Sequence, residues 1–138
     1  MPILVHCHKG VGPAVTGTAL VAADNFSARY DLDRIRGVFS RPSHKLAGES
    51  YVDRILVLDG AKGGVATAWM LHEMASRGVV PQALIFNRVN PIIAQGAAFA
   101  GAALVDRFAS DVTALLRTGD ELRVDPAAGT VEILNREA

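Results

Sequence analysis

The run Arg54-Ile55-Leu56-Val57-Leu58 passes directly into Asp59-Gly60-Ala61-Lys62-Gly63-Gly64, and a stretch of helical spacing follows. Four consecutive aliphatic residues leave neither side fit for water, so the run predicts a short strand covered on both faces. A strand of that kind belongs to a parallel sheet, whose neighbours are joined by crossover helices. Val65 to Arg77 supplies the first crossover. Val65, Trp69 and His72 share one stripe; Ala68, Leu71 and Met74 share the next. Arg77 in the last turn and Gly78 after it form a C-terminal stop.

The pattern repeats once. Pro81 to Phe86 reads as a second buried strand, and Asn90-Pro91 is a strong helix start. Asn caps the free N–H groups, and proline at the first helical position has no N–H to lose. That helix runs from Ile92 to Phe99 and stops at Gly101, before a short strand at Ala103-Leu104-Val105. Ser110 is placed to cap a helix through Leu116, closed by Gly119. Glu121 to Val124 and Thr130 to Leu134 flank Asp125-Pro126-Ala127-Ala128-Gly129, a hairpin-type turn. Toward the N-terminus, Ile3-Leu4-Val5 and Ala14 to Ala23 read as strands around a turn at Lys9 to Pro13. The expected fold is α/β, with a central, partly parallel sheet, flanking helices and β-ribbon ends. Residues 1–138 are expected to form a single domain, as 138 residues can bury one full core. The segment from Asn25 to Ser50 is too long for an ordinary connection and reads as a functional loop.

Fourteen basic residues balance fourteen acidic ones, which excludes a wholesale basic surface for nucleic acid. Locally the balance shifts: Ala28 to Lys45 carries a net +3, and Asp106 to the C-terminus a net −3. The basic segment fits either an anionic small molecule or a solvated arginine-rich loop. No segment approaches the roughly 18 apolar residues of a membrane span. A lone cysteine and a start without a cationic leader point to a reducing, cytoplasmic setting.

Two readings stay open for the loop Asp59 to Gly64. Free N–H groups at a helix start favour an anion, and Lys62 adds a positive charge. A plain strand-to-helix turn has the same composition. The spacing matches neither a P-loop nor a dinucleotide fingerprint. His6-Cys7-His8 lies in a strand, where Cys7 points away from the two histidines, and no second ligand cluster completes a metal site. His72 is expected to be half-buried on its helix. His44, in a loop beside charges, is the better candidate for acid–base work or substrate contact.

The stretches His44-Lys45-Leu46-Ala47-Gly48-Glu49-Ser50, Ile55-Leu56-Val57-Leu58, Gly60-Ala61-Lys62-Gly63 and Ala83-Leu84-Ile85-Phe86-Asn87 follow one another in the order and spacing of a known family. With the ending Thr118-Gly119-Asp120-Glu121-Leu122-Arg123-Val124-Asp125, they resemble the small subunit of the aconitase X family, a phosphomevalonate dehydratase small subunit-like domain. The resemblance covers the chain from about Gly17 onward. It implies a swivelling β/β/α domain that acts as a lid over the active site of a large catalytic subunit. It also implies a hydro-lyase that dehydrates a hydroxy acid such as mevalonate 5-phosphate or cis-3-hydroxy-L-proline. No cofactor is expected on this chain; an iron–sulfur cluster would sit on the large subunit's cysteines. The implied catalytic residues are Lys62, Thr67 and His44. The implied substrate-binding residues are Asn25, Phe26, Ser27, Arg29, Gly63, Gly64 and Asn87.

Two departures stand out. Members of the family carry serines after the Arg/Lys-Gly pair, one of them taken as catalytic; here Gly64-Val65-Ala66 stand there, with Thr67 the nearest hydroxyl. Arg29 places a cation where the family has glycine. These departures leave open a diverged, non-catalytic module that binds a partner protein or a small acid. The architecture also resembles the phosphohistidine swivelling domain, but Ala66-Thr67-Ala68 stand where that domain needs its histidine.

Overall fold

The computed structural model describes residues 3–26, 31–61 and 65–136, except for the side chains of 65–67. The buried strand announced by Ile55 to Leu58 is the centre of the sheet. In chain order the strands are β1 (Ile3–His6), β2 (Val15–Val21), β3 (Asn25–Phe26), β4 (Leu32–Asp33), β5 (Val38–Phe39) and β6 (Ile55–Ala61). Helix α1 (Val65–Ser76), β7 (Ala83–Arg88), α2 (Pro91–Phe99), β8 (Ala103–Val105) and α3 (Val112–Leu115) follow. The closing hairpin is β9 (Glu121–Asp125) and β10 (Thr130–Asn135).

One sheet runs β1-β10-β9-β2-β6-β7-β8, with β3 added on β6; β4 and β5 form a small separate ribbon. Strand β2 joins the two halves. Its first residues pair antiparallel with β9, Val15 opposite Val124. Its last residues pair parallel with β6, Ala19 opposite Ile55. From β2 to β8 the sheet is parallel, and from β2 to β1 it is antiparallel.

Alternation along the strands divides the core in two. Leu56, Leu58, Leu84 and Phe86 face α1 and α2, meeting Leu71, Met74, Ile93 and Ala97. Ile55, Val57, Ala83 and Ile85 face the other way, onto Val112, Leu116, Leu122, Val124 and Val131. Each of these side chains is fully buried, and each large one contributes roughly 1.5–3 kcal/mol by leaving water. The hairpin strand β9 alternates instead, Leu122 and Val124 inward, Glu121 and Arg123 outward, as befits a sheet with one wet face.

Helix α2 starts as its sequence predicts, with Asn90 Oδ1 accepting from the Ile93 N–H at 2.9 Å. Gly96 lets α2 approach α1 closely: a Cβ there would stand 2.6 Å from the Ala68 Cβ. Four expectations change. The short helix is capped by Asp111, not Ser110; the Asp111 carboxylate accepts from the Thr113 N–H. The Asp59-Gly60-Ala61 stretch is still strand, because Gly60 pairs with Asn25 on one side and Arg88 on the other. Trp69 and His72 face outward, Trp69 at 69% exposure, because α1 turns its Leu71 and Met74 stripe to the sheet. The Asn25–Ser50 segment, read as one long functional loop, carries the short strands β3, β4 and β5 in its described part, and Phe26, Leu32, Phe39 and Leu46 are buried in the core. No helix among the described residues is long and apolar enough to cross a membrane.

Candidate functional site

Parallel strands all point one way, so β3, β6, β7 and β8 bring their C-terminal ends to one edge, where open α/β sheets bind ligands. That edge gathers Asn25 and Phe26, Gly60 and Ala61, Asn87 and Arg88, and the residues after Val105. Phe26 pairs with Ala61, so the residues that precede Ser27 and Lys62 in the chain are neighbours in the sheet. Ser27, Arg29, Lys62, Gly63 and Gly64 themselves lie outside the described residues, as does the side chain of Thr67.

The base of the 27–30 segment is anchored from both sides. Asp24 Oδ1 accepts from the Asn25 N–H at 2.7 Å, and its Oδ2 accepts from the Lys45 N–H at 3.1 Å. Burial would raise the Asp24 carboxyl, but these N–H groups outweigh it and hold the carboxyl below its usual range. On the far side Asp31 is buried and forms an ion pair with Arg41. His44 spans the two, its Nε2 at 3.8 Å from Asp24 Oδ2 and 3.9 Å from Asp31 Oδ2.

His44 is almost wholly buried and stacked on Phe39, with ring centroids 4.6 Å apart. Its Nδ1 accepts from the Leu46 N–H at 3.0 Å. That assigns the proton to Nε2, which donates to the Asn25 carbonyl at 2.8 Å. Both ring nitrogens are therefore engaged within the protein. The imidazole fixes Asn25 beside Gly60 and presents no free nitrogen to the edge. Phe26 is fully buried against Phe86, so its ring belongs to the core under the site.

Asn87 is equally occupied. Its Nδ2 donates to Asp59 Oδ1 and to Asp111 Oδ1, both at 2.9 Å. Its Oδ1 accepts from the Val112 N–H at 2.8 Å. One amide thus ties the ends of β6 and β7 to the start of α3. The side-chain hydrogen bond from Asn87, with those from Thr113, holds the Asp111 carboxyl below its usual range.

Beside Asn87 opens a cleft of about 1030 Å³, lined by residues from β1 and from the ends of β6, β7 and β8. Arg88, Arg107 and Ser110 lie on it and were not candidates from the sequence. The rule that singled out the end of β6, applied to β7 and β8, leads to them. His6, Cys7 and His8 line the same cleft. Burial, with the nearby Asp106 charge second, pushes the Cys7 thiol up to about 11, far from a reactive thiolate. Among the described residues no group of three possible ligands is gathered for a metal.

The aconitase X swivel domain profile matches residues 4–133. Over 126 residues the chain is 31% identical to the phosphomevalonate dehydratase small subunit of Methanocella arvoryzae, covering 91% of this chain and 96% of that one. The crystal structure of Thermococcus kodakaraensis aconitase X in its holo form superposes with a TM-score of 0.88 at 26% identity, covering 96% of this chain and 99% of the other. The solution NMR structure of a UPF0107 protein superposes with a TM-score of 0.87 at 30% identity, over 96% and 100%. The fold is thus shared with these two solved structures across nearly the whole chain. On the match over residues 4–133, the chain belongs to the aconitase X swivel domain family.

Proposed function

We propose that this chain is the small subunit of an aconitase X-type dehydratase that removes water from mevalonate 5-phosphate, closing as a lid over the active site of a large subunit. The observation that carries this is the match, over 91% of this chain and 96% of the relative, to a protein named phosphomevalonate dehydratase small subunit. The geometry supports it. Sheet edge and cleft form an open half-site, to which a second subunit would add the other half.

In this reading Arg29, Lys62 and the start of α1 hold the acid, and Gly63 and Gly64 let the substrate approach the backbone. Thr67, the hydroxyl nearest in sequence to the family's serine position, takes that serine's role, and Asn25 and Ser27 contribute to substrate binding. His44 and Asn87 act as positioning residues, since their polar atoms are bonded within the protein. Domain closure would exclude water from the elimination. An iron–sulfur cluster, where the enzyme has one, would supply a Lewis acid for the departing hydroxyl. The described residues of this chain gather no ligand set that fits one.

The Gly64-Val65-Ala66 sequence favours a second reading, in which the module binds an acid or a partner without turnover. Co-expression with a large aconitase X-type chain separates the two. A complex that dehydrates mevalonate 5-phosphate supports the first reading, and one that dehydrates cis-3-hydroxy-L-proline instead changes only the substrate. A stable complex inert toward both acids supports the second.

A further inference from the structure

We propose that Arg107, together with Arg88, forms a phosphate subsite on the cleft and that it receives the phosphoryl end of the substrate; this rests on the dehydratase reading above.

Arg107 is one of two non-glycine residues described with positive φ, at 64°. That backbone region is unfavourable for a long side chain and persists only where the surroundings impose it. Here they do: the Arg107 N–H donates to the Asn87 carbonyl at 2.9 Å, extending the β7–β8 pairing past the end of β8. The strained residue therefore sits at the ligand edge of the sheet, on the cleft. Its side chain is 59% exposed, and its contact with Asp106, Nε to Oδ2 at 3.7 Å, is too long for a hydrogen bond. Arg88, at the end of β7 and exposed, lines the same cleft. Among the described residues no carboxylate lies within ion-pair distance of Arg88.

Two guanidiniums with open donors suit a dianion better than a single carboxylate, because a phosphate monoester offers three acceptor oxygens to two forks. The carboxylates on the same cleft are already engaged. Asp59 accepts from Asn87, while Asp111 accepts from Asn87 and from the N–H and hydroxyl of Thr113. Ser110, also on the cleft, adds a neutral donor.

The test is Arg107→Gly in the assembled enzyme, a substitution that removes the guanidinium and suits the positive φ. The KM for mevalonate 5-phosphate should rise about ten- to hundred-fold with a much smaller change in kcat. Arg107→Lys, which keeps charge but loses the fork, should fall between. Arg77→Ala, on the exposed Glu73 pair of α1, should leave KM unchanged. A KM for Arg107→Gly within two-fold of wild type overturns the subsite. If the wild-type complex is inert toward mevalonate 5-phosphate, the assignment of that substrate fails instead, and the subsite is judged on the chain alone. There, saturable shifts of the Arg88 and Arg107 side-chain N–H signals on titration with inorganic phosphate, lost in Arg107→Gly, uphold it. Their absence in wild type overturns it.

Discussion

The Nε2 of His44 and the carbonyl oxygen of Asn25 are 2.8 Å apart, although they stand 19 positions apart in sequence. This bond fixes the strand that pairs with the end of β6, and so sets where the 27–30 segment begins.

Replacing His44 with alanine leaves the Asn25 carbonyl without its donor and removes the ring that stacks on Phe39. Loss of this partly buried hydrogen bond costs about 0.5–1.5 kcal/mol, before the lost ring packing is added. The urea midpoint should fall accordingly, and the amide signals of Asn25 and Gly60 should move with it. A variant as stable as wild type, with those signals unmoved, contradicts the positioning role.

Gly96→Ala opposes two effects of known size. Alanine is favoured over glycine in a helix by about 1 kcal/mol. The new methyl would stand 2.6 Å from the Ala68 Cβ and 2.7 Å from its Cα, so one helix must move. Overpacking of that kind costs about 1–3 kcal/mol, and the backbone atom cannot rotate away. Net destabilisation in thermal unfolding is expected; an unchanged or higher Tm shows that α1 and α2 are not held at this distance.

Acid stability rests on a different pair. Arg136 donates from Nε to Asp120 Oδ1 at 3.0 Å and from a terminal nitrogen to Oδ2 at 2.8 Å. Burial would raise the Asp120 carboxyl, but the bonds from Arg136 and from the Arg117 N–H outweigh it and lower it. A carboxyl lowered in the folded state contributes stability above its unfolded pKa of about 3.9, and loses it as pH falls through the folded value. Stability should therefore drop below about pH 4. Asp120→Asn should cost about 1.5–3 kcal/mol at pH 7 and flatten that acid limb. Urea titrations at pH 7 and pH 3 check both; a variant that keeps the full wild-type pH dependence removes Asp120 from the account.

Local patterns carried much of the fold. Ile55 to Leu58 needed only their own hydrophobicity to read as a buried strand, and Asn90-Pro91 only its capping chemistry to start a helix. What escaped the sequence depends on distant pairing. Asp59-Gly60-Ala61 has a loop's composition, yet Asn25 and Arg88 flank Gly60 and extend the strand. Phe39 and Leu46 sit among polar neighbours and are drawn into the core by contacts that no short window contains. Both stripes of α1 are apolar enough to be buried, and the sheet accepted the Leu71 and Met74 stripe, leaving Trp69 outside. Less of the site's geometry was local: the hydrogen bonds of His44 Nε2 and of the Asn87 side chain reach 19 to 28 positions along the chain, beyond any short window. Arg88 and Arg107 join the site only because β7 and β8 are neighbours in the sheet.

The central claim is that this chain supplies one half of a dehydratase. It is tested most directly by following loss of water from mevalonate 5-phosphate with the chain alone, the large aconitase X-type subunit alone, and the two combined. The account predicts turnover in the mixture and none with the chain alone. Dehydration by the isolated chain at an ordinary enzymatic rate, or a stable complex that turns over no hydroxy acid, would contradict it.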